Sequence, residues 1–228
     1  MTIDDKKKIF DEFCQYISPE RAEKIIKNSA ERTRYITIVL EDIYQGHNAS
    51  AALRSSDCFG IQDVHVIEQK HSYKLAENVA KGASDWLNVK QYNDKNVNNT
   101  QVCFDALRAQ GYKIVATSPW KNDVLIHELP LDTKTALVFG TEQYGLSDYA
   151  LQNADAFVKV PMYGFTESFN ISVSVALCLY ETTKRIRESN MPWQLTPEER
   201  IELQLYWLGR TTHRYGQIQA LLKGVTTS

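Results

Sequence analysis

Five side chains able to do hydrogen-bond or proton chemistry, Asn48, Arg54, Glu142, Ser168 and Asn170, fall in three polar junctions, each following a strand-like apolar run. The junctions are His47–Arg54, Phe139–Ser147 and Val160–Ser174. The third sets Pro161, Gly164 and a cluster of small polar residues between a short apolar run and a long apolar helix. Such a junction leaves backbone donors and acceptors free in a confined place, which suits a buried cofactor. The side-chain set suits a group transfer in which an activated cofactor supplies the reactive carbon and the protein supplies position and one proton acceptor. Each residue also has a plainer reading. Asn48 and Ser168 could be helix N-caps, Glu142 a solvated loop carboxylate and Arg54 a surface ion pair. Asn170 at the start of an apolar helix resists that treatment, because a buried amide needs partners.

Other chemistries find little support. Gly140-Thr141-Glu142 with Gly145 is not a GxGxxG, and GxxxxGK[ST], GxSxG and HExxH are all missing. The 5 histidines are scattered and Cys14, Cys58, Cys103 and Cys178 lie far apart, so no metal is expected and the thiols read as reduced in a cytoplasmic protein. The N-terminus lacks the apolar core of a signal peptide, and no apolar run reaches the roughly 20 residues of a membrane span.

The elements that must position these residues alternate. Strands are predicted at 36–40, 64–67, near 86–89, at 112–117, 135–139 and 156–160, and helices at about 48–59, 98–110 and 168–187. This order implies βα units and a mostly parallel sheet. The 36–40 run is β-branched and fits a strand covered on both faces. The helix from 168 is apolar almost all round in its first half, which predicts burial there. Two helices before the first strand (near 5–16 and 19–30) and one after Thr196-Pro197-Glu198-Glu199 flank this core. The chain of 228 residues carries a net charge of −2, unevenly spread. Residues 1–35 and 184–228 together sum to +4 and the middle to −6, so a polyanion such as RNA would meet the ends.

The three junctions resemble, in order, the three motifs of the SpoU/TrmH branch of the SPOUT methyltransferases. The likeness covers roughly 32–187, with an asparagine-to-arginine pattern in His47-Asn48-Ala49-Ser50-Ala51-Ala52-Leu53-Arg54 as the first motif. It departs mildly at Val160 and Phe169, where isoleucine and leucine are commoner. The resemblance implies an α/β domain at 32–188 with a deep trefoil knot at about 135–188, flanked by helical extensions at 1–31 and 189–228 that contact tRNA. It implies S-adenosylmethionine-dependent 2′-O-methylation of a tRNA ribose, at guanosine 18 of the D-loop. The alternatives are another RNA site, ribosomal or in the anticodon loop, and a catalytically silent RNA-binding protein. The cofactor would be held by Thr117 in the loop after its strand, Gly140, Val160, Met162 and Phe169, with glycine at 140 so that the chain approaches the adenosyl group. The catalytic set would be Arg54, Asn48, Glu142, Ser168 and Asn170. In this family Arg54 is cast as base, although a guanidinium is rarely neutral and could instead anchor a phosphate. Asn48, Glu142, Ser168 and Asn170 would then hold Arg54 and the motif loops. A homodimer, with the first motif of one chain approaching the methyl donor of the other, is also implied.

Overall fold

A computed structural model describes residues 1–43, 45–69, 82–118, 124–212 and 214–222. They form two compact units: Arg34–Trp193, and the two chain ends, Met1–Thr33 with the segment from Gln194.

The Arg34–Trp193 unit is built on seven strands: β1 (Ile36–Glu41), β2 (Asp63–Ile67), β3 (Asn88–Tyr92), β4 (Lys113–Thr117), β5 (Val124–Leu125), β6 (Thr135–Phe139) and β7 (Ala156–Lys159). They make one sheet in the order β3-β2-β1-β6-β4-β7-β5, every pairing parallel. All six residues of β1 are buried, as its β-branched composition predicts. Alternate side chains divide between two cores. Ile36, Ile38 and Leu40 join the layer containing Leu53, Val175 and Leu179, from α3 (Gly46–Cys58) and α6 (Ile171–Arg187). Val39 joins the opposite layer, with Phe104 and Leu107 of α4 (Asn99–Arg108) and Ala150 of α5 (Asp148–Asn153). The third strand lies two residues beyond its predicted place, and Trp86 is in the turn before it.

Local signals set the helix ends. Asn98 accepts from the Gln101 amide at 3.1 Å to open α4, and the chain leaves that helix through Gly111 at φ 82°, in the left-handed region glycine tolerates. The last motif helix begins at Ile171 rather than 168, with Asn170 as N-cap accepting from the Ser172 amide at 2.9 Å. Burial of its first half does not hold. Phe169, Val173, Leu177 and Tyr180 are all exposed, at 39%, 43%, 37% and 56%. Only one face of that apolar start packs on the sheet; the other is an uncovered stripe.

The unit of the chain ends contains α1 (Ile3–Cys14), α2 (Pro19–Ala30), α7 (Pro197–Thr212) and α8 (Tyr215–Leu222). Thr2 with Asp5 and Thr196 with Glu199 form capping boxes, and Ser18 caps α2 ahead of Pro19. Phe10, Phe13, Ile25, Ile201, Leu205 and Trp207 are buried. Lys6, almost covered, reaches Glu198 at 2.8 Å and Glu202 at 2.6 Å, which holds its amine above the ordinary lysine range. The Arg32 guanidinium lies over the Trp207 ring at 5.1 Å and that of Arg214 over Tyr16 at 4.0 Å. All four cysteines are free. Among the described residues no helix is long and apolar enough to cross a membrane.

Candidate active site

The ends of β1, β6 and β7 deliver the three junctions, and that of β4 delivers Thr117, to one edge of the sheet, where ligands of open α/β sheets bind. After β6 the chain makes a tight loop. Thr141 and Gly145 exchange backbone bonds of 2.9 and 3.0 Å, the Tyr144 amide donates to Thr141 Oγ1 at 3.0 Å, and Gly145 turns at φ 67°. Glu142, Gln143 and Tyr144 form the tip, with Tyr144 76% exposed.

Glu142 is the hub. Its Oε1 accepts from Asn48 Nδ2 at 2.9 Å, from Asn170 Nδ2 at 2.7 Å and from the Ile171 amide at 3.4 Å. The last contact places the carboxylate at the positive end of α6. Asn48, 8% exposed and inside α3 rather than capping it, also donates to Gln45 Oε1 at 3.1 Å. Asn170 Nδ2 gives a further bond of 3.2 Å to Asn48 Oδ1, while Asn170 Oδ1 takes the Ser172 amide and hydroxyl. Both amides are therefore committed within the cluster. Among the described residues Glu142 Oε2 is left without a hydrogen bond and no cation pairs with the carboxylate. Asn170 proves to be exposed rather than buried; it is a cap and a cross-link at once.

Two clefts meet at this hub. One, of about 290 Å³, lies between Ile43, Gln45, Asn48, Ile171 and the loop tip. The other, of about 230 Å³, is lined by Thr117, Ser118, Gly140–Leu146, Ser168 and Phe169. A narrower recess of about 70 Å³ is lined by Thr117, Ser168 and Phe169 together with Val160 and Met162. All five cofactor candidates thus line adjoining space. Thr117 is the last residue of β4 rather than in the following loop, and its hydroxyl is committed to the Val138 carbonyl at 2.8 Å. Ser168 borders both spaces and, among the described residues, makes no hydrogen bond. Cys178 also lines the recess; burial pushes its thiol up to about 12, so it is a neutral wall.

Gly140 has a more immediate reason to be glycine than a ligand's approach. A Cβ there would sit 2.3 Å from the carbonyl carbon and oxygen of Gly145 and 2.5 Å from the Leu146 nitrogen. Arg54 is not part of the cluster: it is exposed on α3, six residues after Asn48 and so about 120° round the helix from it, and no hydrogen bond or ion pair joins it to Glu142, Ser168 or Asn170.

One important residue escaped the sequence reading. Glu41, at the end of β1, is 2% exposed and holds both Thr100 and Ser147. A carboxylate closing a fully buried, β-branched parallel strand was the available signal.

Residues 35–180 match the sequence model of the SpoU rRNA methylase family. The chain belongs to the SpoU rRNA methylase family. Among relatives within and around the SpoU family, a tRNA (guanosine(18)-2′-O)-methyltransferase of Borreliella burgdorferi is 39% identical over 219 residues, 96% of this chain and 98% of that protein. The Aquifex aeolicus TrmH/SpoU tRNA modifying enzyme superposes with a TM-score of 0.74 at 25% identity, covering 84% of this chain and 96% of that one. The SpoU methyltransferase AviRb of Streptomyces viridochromogenes, solved with its cofactor AdoMet, has a TM-score of 0.59 at 20% identity over 70% of this chain and 60% of its own, a likeness of fold.

Proposed function

We propose that this SpoU methylase transfers a methyl group from S-adenosylmethionine to the ribose 2′-oxygen of a tRNA, at guanosine 18. The observation that carries this reading is the end-to-end match to the Borreliella burgdorferi enzyme, which extends through the terminal helices as well as the sheet domain. The cleft bounded by Thr117, Gly140 and Phe169, with the recess at Val160 and Met162, suits a cofactor held largely by main-chain groups, because its walls are glycine-rich loop and strand ends. When bound, S-adenosylmethionine supplies an electrophilic methyl carbon.

The chain's own residues then supply position and proton handling. Asn48 and Asn170 lock Glu142 between the two clefts, and Ser168 offers an uncommitted hydroxyl to the cofactor side. Glu142 lines both clefts, and its Oε2, without a hydrogen bond among the described residues, is the acceptor that orients the ribose hydroxyl. Arg54, which among the described residues no hydrogen bond or ion pair joins to the cluster of its own chain, serves the site of a second copy, either drawing the 2′-proton or holding the adjoining phosphate. A homodimer is supported by the uncovered stripe Phe169, Val173, Leu177 and Tyr180, which an isolated chain would leave in water. The same reading carries the trefoil knot at about 135–188 and assigns tRNA contact to the helical ends, 1–31 and 189–228.

The test is transfer of labelled methyl to an unmodified tRNA transcript beside one with a 2′-deoxy guanosine at position 18. Labelling of the first alone supports the reading, and equal labelling moves the target elsewhere. Arg54→Ala should lose transfer and keep cofactor binding; a fully active variant removes Arg54 from the chemistry.

A further inference from the structure

Glu41 is a buried carboxylate. Its Oε1 accepts from Thr100 Oγ1 at 2.6 Å and from Ser147 Oγ at 2.8 Å, and its Oε2 accepts from the Ser147 amide at 2.8 Å. Among the described residues no lysine or arginine pairs with it, although it is 2% exposed. Desolvating a carboxylate is costly, and here the compensation comes only from neutral donors and the first turns of α4 and α5. For an ordinary strand end an apolar side chain would serve at less cost. What the charge adds is short, strong bonds to one particular place.

That place is the exit of the loop that walls the cofactor cleft. The loop enters from Phe139, whose partner across the sheet is Leu40. It leaves through Leu146 into Ser147, which the next residue of β1, Glu41, grips by both backbone and side chain. Two consecutive residues of one rigid strand thus hold both ends of the seven residues Gly140–Leu146, with Glu142 at the tip. Ser147 Oγ also accepts from the Ala150 amide at 3.2 Å, so α5 starts from the same anchor. Directly after Glu41 the chain turns at Asp42, φ 53°, fixed by a 2.7 Å bond from the Gln69 amide to its Oδ1, and proceeds to α3 and Asn48.

We propose that Glu41 is a positioning residue for methyl transfer, setting the cofactor loop, and through it Glu142, at its working height above the sheet. The proposal rests on the reading of the cleft as the S-adenosylmethionine site. It separates Glu41 from Thr100: the Thr100 bond ties β1 to α4, and only the Ser147 bonds reach the loop.

The test compares Glu41→Ala, Glu41→Gln and Thr100→Val in the full chain. Three quantities are read: S-adenosylmethionine affinity by calorimetry, unfolding midpoint, and native-state amide exchange at Gly145–Ser147. Glu41→Ala should weaken the cofactor roughly tenfold, about 1.4 kcal/mol, and speed exchange of the Ser147 amide by a similar factor. Glu41→Gln retains an acceptor for that amide and should recover most of the affinity. Thr100→Val should lower the midpoint and leave affinity within about twofold of wild type. Thr100→Val matching the affinity loss of Glu41→Ala, or Glu41→Ala losing only stability, overturns the proposal. Should Glu41→Ala fail to fold, Ser147→Ala decides: it removes the hydroxyl bond to Glu41 and should weaken S-adenosylmethionine about threefold, and wild-type affinity overturns the proposal. If wild type itself does not bind S-adenosylmethionine, the functional reading falls and the positioning role for methyl transfer falls with it, even where the exchange response identifies the anchor.

Discussion

Gly140 and Gly164 both sit in motif junctions, yet their geometry predicts opposite outcomes for the same substitution. In Gly140→Ala the new Cβ would lie 2.3 Å from the Gly145 carbonyl, which must retreat by roughly 1 Å to reach the 3.4 Å at which ordinary contact begins. The obstacle is backbone, so no side chain can rotate away. Retreat breaks the paired bonds between Thr141 and Gly145, of 2.9 and 3.0 Å. Two backbone bonds are worth about 1–3 kcal/mol together. If binding must restore the loop, cofactor affinity falls about 5- to 150-fold. In Gly164→Ala the nearest atom is the Thr166 nitrogen at 4.0 Å, and its backbone needs no left-handed angle. That variant should stay within about 0.5 kcal/mol of wild type in stability, helped by a less flexible unfolded chain. Titration calorimetry with S-adenosylmethionine and urea unfolding read both quantities. Wild-type affinity in Gly140→Ala, or equal damage in the two variants, would refute the steric argument.

Two further outcomes follow from buried and shared groups. Glu142→Ala removes an acceptor from Asn48 and Asn170, but each amide keeps another partner. With Glu142 and Asn170 exposed, the cost should be about 1–2 kcal/mol, and below about 1 for Glu142→Gln, which keeps the acceptor; Gln as harmful as Ala in thermal unfolding would show that the bonds are not what matters. His65, 6% exposed and 3.0 Å from the Tyr92 hydroxyl, is pushed down to about 4, chiefly by burial, with Lys90 adding and Asp63 opposing. Unfolded histidine binds its proton near 6.5, so this contribution is intact above that pH and is lost as the pH falls towards 4, by about 3 kcal/mol. Urea unfolding at pH 7 and 4.5 should show a smaller acid loss in His65→Asn; identical losses would exclude His65 as the cause.

The central strands were legible because their burial is complete. Ile36–Leu40 and Thr135–Phe139 are apolar but for one threonine each, and any fold must cover both faces. β3 was harder to place, since as an edge strand it exposes Lys90 and Gln91 and carries no full apolar pattern. β5, two residues long, exists only by pairing with β7, and α5, six residues long, is too short to announce itself. The candidate site was legible as residue types in order. Its wiring was not: Asn48 and Asn170 are 122 positions apart and meet only through the sheet. Glu41 lies just past the 36–40 run and escaped the reading, because nothing local reveals that Thr100 and Ser147, far along the chain, anchor on its carboxylate. The apolar circumference of α6 predicted burial that one chain does not provide.

The strand order also bears on how the protein emerges from the ribosome. β1, β2 and β3 are neighbours in space and can pair as soon as Tyr92 is made. β4 is different, because its only neighbours are β6 and β7, both synthesised later. Until Thr135–Phe139 arrives to fill the gap between β1 and β4, a nascent chain carries one open apolar strand edge on β1 and two on β4. The loop that walls the cofactor cleft follows directly on that keystone strand, so closing the sheet and shaping the site are a single late event in the life of the chain.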